Sequence, residues 1–243
     1  LKNKKIIISA GASGIGWAIT KVCVAKGASV YLCDIDPKAI NKVKKHPSYN
    51  KRIFVSEIDA SDETEVIDFF QLVKKKFKKL DALINNVGIA GPTGTIEKLQ
   101  SSEWENTLHV NVNSHFYFNK LAIPLLKKTR SASIINISSN AADQCDVGRS
   151  AYASSKAALI AFTKVLSKEL GNFNIRVNSI APGLTKTNMM SEGISKKIID
   201  EAIQRVALKR AAEPEEIANV ATFLASDLSS YISGELIFVT GGY

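Results

Sequence analysis

The chain has 243 residues, which suits one large domain or two small ones. Hydrophobic residues make up 45%, enough for a buried core and too many for a disordered chain. The formal charge of +9 comes from scattered lysines, no apolar run reaches the length of a membrane span, and no signal-peptide pattern opens the chain, so a cytoplasmic protein with no membrane partner is expected.

Taken in chain order, apolar β-branched runs alternate with helical patterns. A strand is expected over residues 5–9, followed by the glycine-rich stretch "SAGASGIG" at 9–16 and a helix over 14–27. A second strand, 29–33, leads to Asp34 and to a helix over 38–45, with Pro37 where a helix can begin. The third strand, 52–57, precedes a helix over 62–78, for which Ser61 offers an N-cap. The lysines at 74–79 close that amphipathic stretch, where cations complement a helix C-terminus. No aromatic-basic platform accompanies them, so nucleic acid is not expected as a partner. A strand at 82–85 is followed by a long helical stretch at 101–128, which Pro124 should kink or end. Strands at 133–138 and 175–180 flank a helix over 152–171. Residues 183–212 are ambiguous, with a helix around 194–206, and a connection this long suggests a lid near 184–212. A helix over 214–226 and a strand at 235–239 complete the pattern. The strands are nearly continuous apolar runs, as expected when helices cover both sheet faces. The expected architecture is therefore an α/β fold, a single Rossmann-type domain over 1–243 with a doubly wound parallel sheet of about seven strands.

Three cysteines, Cys23, Cys33 and Cys145, form no C-x-x-C pair and read as free thiols. His46, His109 and His115 lack zinc-ligand spacing, and no metal is expected. The turn at 9–16 spells neither G-x-G-x-x-G nor the P-loop, because Ile19 stands where the third glycine would fall and Trp17-Ala18 follows Gly16. On the glycines alone, a bare tight turn and a nucleotide cradle are equally open. Its place between a strand and a helix favours the cradle, since a helix N-terminus offers N–H groups to a pyrophosphate. Asp34, ending the second strand, adds a carboxylate suited to a ribose diol and hostile to a 2′-phosphate. With no Arg or Lys in the turn, NAD is favoured over NADP. Farther on, Tyr152 and Lys156 lie four apart in a helical stretch and so share a face. A phenol with an ordinary pKa near 10 is a poor base, and a neighbouring ammonium makes it a usable acid/base.

These features join others in a fixed order: Asp59 in "IDA", "NNVG" at 85–88, Asn111 in "HVNVN", "NISS" ending at Ser139, "YASSK", "PGLTKTNM" at 182–189 and "ISGELIFVTGG" near the end. On these motifs the whole chain resembles the short-chain dehydrogenase/reductase family. The resemblance implies Tyr152 as proton donor and acceptor, with Lys156 lowering its pKa and holding the nicotinamide ribose. Ser139 would bind the substrate oxygen, with Ser138 the runner-up, and Asn111 would hold a water linking Lys156 to solvent. It places the cofactor on Gly11, Ser13, Gly14, Ile15 and Gly16, on Asp34, on Asp59 and Ala60, on Asn86 and Gly88, on Tyr152 and Lys156, and on Thr185 and Thr187. It also implies a homotetramer packed through the 101–128 and 152–171 helices and the last strand.

Two positions depart from the family pattern. Ala10 replaces the first glycine of its turn and Val87 replaces an alanine beside the expected groove. An alanine at positive φ would cost about 1–2 kcal/mol, so Ala10 is expected at negative φ. The expected pocket walls are 89–94, 140–149 and the segment after Thr187. Asn140, Asp143, Gln144, Asp146 and Arg149 suit a small polar substrate such as a polyol, sugar or hydroxy acid, or form a solvated loop. The resulting expectation is an NAD(H)-dependent enzyme interconverting a secondary alcohol and a ketone. The alternatives are a 3-oxoacyl-(acyl-carrier-protein) reductase and a non-catalytic nucleotide-binding relative.

Overall fold

A computed structural model of the chain describes residues 1–191 and 196–243. Seven parallel strands form one sheet in the order β3-β2-β1-β4-β5-β6-β7. They are β1 (Lys5–Ile8), β2 (Ser29–Asp34), β3 (Ile53–Glu57), β4 (Ala82–Asn85), β5 (Ala132–Ile137), β6 (Ile175–Pro182) and β7 (Leu236–Val239). Each begins and ends within two residues of its expected bounds. The β-branched runs bury both faces because side chains alternate across a strand. Ile6 and Ile8 enter one core, with α1 (Gly14–Ala25), α2 (Pro37–Lys44) and α10 (Pro214–Leu224). Ile7 enters the other, with α3 (Glu63–Lys76), α5 (Ser114–Leu126) and α7 (Ser150–Leu170). The strand order reverses between β1 and β4, and such a switch point opens a crevice at the carboxyl ends of the strands.

Helix boundaries follow local chemistry. Asp36 caps α2, accepting from Lys38 N at 2.8 Å, and Pro37 fills the first turn. The cap of α3 is Asp62 and not Ser61: Asp62 Oδ1 accepts from Thr64 N and Glu65 N. Ser61 is diverted, donating its N–H and its hydroxyl to Asp59 Oδ1. The long helical stretch expected at 101–128 runs unbroken over residues 101–126, as α4 (Ser101–Leu108) and α5 with a π-helical turn at His109–Asn113 between them. Pro124 lies inside α5, which ends two residues later. After β6 come α8 (Asn188–Ser191) and α9 (Lys196–Arg205). The first residues of the helix expected at 194–206, and part of the 184–212 segment, lie outside the described residues. Between β5 and α7 sits the short α6 (Ala141–Gln144).

Ala10 contradicts the sequence expectation, for its φ is +48°. The neighbours leave it no other path. Gly11 N donates to Cys33 O at 2.9 Å, and the Ala10 carbonyl accepts from Asn86 Nδ2 at 2.9 Å. Left-handed backbone is the conformation that serves both bonds, and the methyl recovers part of the strain by packing on the second core. Replacing Ala10 with Gly relieves about 1–2 kcal/mol of strain, offset by about 0.4–1 kcal/mol of unfolded-chain entropy and by lost methyl packing. Ala10→Gly is therefore expected within about 1 kcal/mol of the parent in urea unfolding, whereas the β-branched Ala10→Val loses about 2 kcal/mol or more. Equal stability of the two variants would contradict the left-handed assignment.

His115, on α5, is fully buried. Its Nε2 lies 3.1 Å from the Val87 carbonyl, which can only accept, so Nε2 carries the proton. Burial, aided by the charge on Lys156, pushes its pKa down to about 3 from an ordinary 6.5. Between those values the unfolded chain binds the extra proton, so this group's contribution to stability falls as pH drops from 6.5 toward 3. His115→Gln is expected to unfold with a flatter pH dependence across that window, and an identical acid slope would refute the burial of a neutral imidazole.

Candidate active site

The turn between β1 and α1 sits in the switch-point crevice. Ser9 Oγ accepts from Asn86 N at 3.0 Å, so the turn is tied to the end of β4 by both groups of Asn86. A Cβ on Gly16 would stand 2.1 Å from Ala10 O and 2.7 Å from Asn86 Nδ2, so only glycine fits. At Gly11 a Cβ would meet Leu32 Cβ at 2.7 Å. These two glycines let the turn close against the sheet. Ser13 precedes α1 as its N-cap without a side-chain capping bond, and no acidic residue lies in the first turn. That helix end is a positive dipole terminus with donors to spare.

A groove runs from this turn in two directions, as two adjoining cavities of about 220 and 630 Å³. Ala10, Ser13, Gly88, Asn188 and Met189 line both. The larger arm reaches Asp34, Asp36, Asp59 and Ala60, with Val87 in its wall, and among the described residues no Lys or Arg lines it. Asp34 is 7% exposed. Its Oδ2 accepts from Ala12 N at 2.9 Å and its Oδ1 from Asp36 N at 3.1 Å. A carboxylate has about four acceptor sites, so two remain for a ligand's hydroxyls. Asp59 uses Oδ1 on Ser61, and its Oδ2 accepts no bond from the described residues.

The smaller arm reaches Ser139, Tyr152, Lys156, Pro182, Gly183 and Thr187. Tyr152 and Lys156 project from one face of α7. Lys156 Nζ donates to Ile137 O at 3.0 Å and lies 5.9 Å from the Tyr152 ring centroid. Burial pushes the Lys156 ammonium down to about 8. The Tyr152 phenol is pushed up by burial, and a hydrogen bond with Ser139 and the charge of Arg149 act against that rise. Ser138 donates its hydroxyl to Lys156 O at 2.8 Å, which turns it toward the helix backbone and leaves Ser139 beside the phenol.

Asn111 lies behind the wall, fully buried on the π-helical turn. Its Oδ1 accepts from Ile89 N at 2.7 Å, and its Nδ2 donates to Ile89 O at 3.0 Å and Ser155 Oγ at 2.9 Å. The extra residue of a π turn re-aims a side chain without ending the helix. A Cβ on Gly88 would stand 2.9 Å from Lys156 Nζ and 3.4 Å from Asn111 Oδ1, so the chain passes both closely there.

The expected residues thus fall into two sets. Ser13, Gly14, Ile15, Asp34, Asp59, Ala60, Asn86, Gly88, Ser139, Tyr152, Lys156 and Thr187 line the groove. Gly11, Gly16, Asn111 and Thr185 support it from behind. Thr185 is buried, donates to Gly183 O at 2.9 Å and bridges to Ala212. Ile137 O and the Ile89 backbone were missed because main-chain groups leave no mark in the residue letters. Of the polar residues expected to face a substrate, Asp143 and Asp146 are exposed.

A family model described as Enoyl-(Acyl carrier protein) reductase matches residues 9–243. The chain is 34% identical over 243 residues to the 3-oxoacyl-[acyl-carrier-protein] reductase FabG of Thermotoga maritima, covering 100% of this chain and 98% of that one. It is 35% identical over 240 residues to the meso-2,3-butanediol dehydrogenase of Serratia marcescens, covering 99% and 94%. Among solved structures, levodione reductase superposes with a TM-score of 0.95 at 26% identity, covering 100% and 98%. A glycine turn clamped at the switch point, Tyr152 and Lys156 on one helix face, and these matches along the full chain identify it as a member of the short-chain dehydrogenase/reductase family, whose enzymes act on CH–OH or keto groups with a nicotinamide dinucleotide.

Proposed function

We propose that the chain is an NAD(H)-dependent oxidoreductase that interconverts a secondary alcohol and a ketone on a small polar substrate such as a polyol, sugar or hydroxy acid. The observation that carries this reading is a single groove with carboxylates in one arm and the Ser139–Tyr152–Lys156 group in the other. The groove suits a dinucleotide because Gly16 lets the turn close against Asn86 and α1 offers an uncapped N-terminus to the groove. When bound, the nicotinamide ring supplies the hydride acceptor or donor.

The chain's own residues would bind, orient and move the proton. Gly14, Ser13 and Ile15 would face the pyrophosphate. Asp34 would accept the ribose hydroxyls and repel a 2′-phosphate, with Asp36 and Asp59 adding to the repulsion. Asp59 and Ala60 would meet the adenine, and Asn86 and Gly88 the ribose beyond it. Thr187 and the Thr185 backbone would hold the carboxamide. Lys156 would hold the second ribose, Ser139 would donate to the substrate oxygen, and Tyr152 would take or return its proton. Asn111 would order the path between Lys156 and solvent. The whole of 1–243 would act as one domain, with the 184–212 segment as lid, in a cytoplasmic homotetramer packed through α4, α5, α7 and β7. Phe116, Val165 and Phe238, exposed on three of these elements, are apolar surface for such contacts.

The butanediol dehydrogenase relative supports a small polar alcohol as substrate. The second reading, reduction of 3-oxoacyl groups on an acidic carrier, is favoured by the Thermotoga maritima relative and by the +9 charge. The intact Asn111–Ser139–Tyr152–Lys156 set speaks against a non-catalytic role. A turnover screen separates the readings: NAD⁺ with alcohols, polyols and sugars, against 3-oxoacyl thioesters with NADH and with NADPH. Oxidation of a polar secondary alcohol with NAD⁺ is expected, falling about 10²–10⁴-fold in Tyr152→Phe. Turnover confined to 3-oxoacyl thioesters would establish the second reading, and full activity in Tyr152→Phe would end the proposed chemistry.

A further inference from the structure

Arg149 is the N-cap residue of α7, a position that usually holds a small polar acceptor. A cation there opposes the helix dipole, and Arg149 makes no side-chain capping bond. Among the described residues no carboxylate forms a salt bridge with it. Its guanidinium is nonetheless held in place. Nη1 donates to Thr93 Oγ1 at 2.9 Å and Nη2 donates to Ala90 O at 3.0 Å. Next to it, Gly94 N donates to Gly148 O at 3.0 Å. Together these bonds fasten the 89–94 wall to the head of α7. The guanidinium carbon then stands 5.0 Å from the Tyr152 ring centroid, within cation–π range.

The geometry points to Arg149 as a positioning residue for the reaction: it staples the 89–94 segment, whose Ile89 and Ala90 line the larger arm of the groove, to the Tyr152 helix and holds a second positive charge over the Tyr152 ring. This rests on the reading of Tyr152 as the acid/base. The polar side chain that sequence reasoning offered to a substrate is, in this fold, spent on the wall and on the phenol. The placement divides the labour between the two cations. Lys156 is bonded to Ile137 O and lies farther from the ring, at 5.9 Å. The elements packed on α7, and the loop leading into it, also bring charged and titratable groups: Asp143 from α6, Asp146 from the loop, Glu103 and Glu105 from α4, His109 from the π turn and Arg176 from β6. The Ser139 hydrogen bond and the Arg149 charge both favour the phenolate.

The test reads the phenol directly and needs no substrate. The full chain is labelled with ¹³C at the tyrosine Cζ, Tyr152 is assigned by its loss in Tyr152→Phe, and its resonance is followed through a pH titration. In Arg149→Gln the Tyr152 titration is expected to move up by about one pH unit, as removal of a nearby cation requires. Arg149→Lys keeps a charge without the planar, two-pronged grip and is expected to move it less. Thr93→Val removes one bond of the staple and keeps the charge, so its titration should match the parent. A folded Arg149→Gln that titrates as the parent does would overturn the proposal. If that variant does not fold, the other two decide: an upward move in Arg149→Lys with none in Thr93→Val supports it, and any other pair of results overturns it. Failure of the turnover screen with the expected shift intact would count against the substrate reading alone.

Discussion

The structure depends on one clamp. Asn86 donates its side-chain amide to the Ala10 carbonyl and its backbone N–H to Ser9 Oγ, joining the turn after β1 to the end of β4 across the switch point. Those strands are neighbours in the sheet but 76 residues apart in the chain. The clamp forces Ala10 into left-handed backbone and brings its carbonyl so close to Gly16 that no side chain can stand there. The close approach keeps the turn against the sheet and leaves the N-terminus of α1 facing the groove.

The two arms of the groove are electrostatic opposites. Carboxylates collect where β2 and β3 end, and two cations lie within 6 Å of the Tyr152 ring centroid near the head of α7, at 5.0 and 5.9 Å. Burial works against ionisation at that second end, pushing the Lys156 ammonium down and the Tyr152 phenol up. These shifts favour the neutral phenol, so a hydrogen bond or a nearby charge is needed to stabilise the phenolate. The Ser139 hydrogen bond and the Arg149 charge then set how far the phenol is returned toward its ordinary value. Asn111 stiffens the arrangement from behind, since all three of its side-chain bonds go to the Ile89 backbone and Ser155.

The fold was legible because its physical signals are local and repeated. Runs such as Ile6-Ile7-Ile8 and the residues around Ile134 alternate between two cores, and that periodicity is visible in the letters. Tyr152 and Lys156 were legible through helical spacing, and Asp34 through its place at a strand end. What escaped reading was set by tertiary contact. The left-handed Ala10 is imposed by Asn86, far along the chain, against the local preference of alanine. The π turn at His109–Asn113 serves the pairing of Asn111 with Ile89, and a 101–128 helical pattern carries no trace of it. Arg149 reads as a loop residue until the 89–94 wall is seen beside it. The acidic cap of α3 moved from Ser61 to Asp62 because Asp59 competes for the serine.

The proposed preference for NAD rests on the clamped turn and on the carboxylate at the end of β2, which would favour an unphosphorylated ribose. A paired fluorescence titration of the full chain with NADH and with NADPH tests it most directly. The account predicts saturable NADH binding and NADPH binding at least about tenfold weaker, which is the effect of roughly 1.4 kcal/mol of charge repulsion. NADPH binding as tight as or tighter than NADH would contradict it.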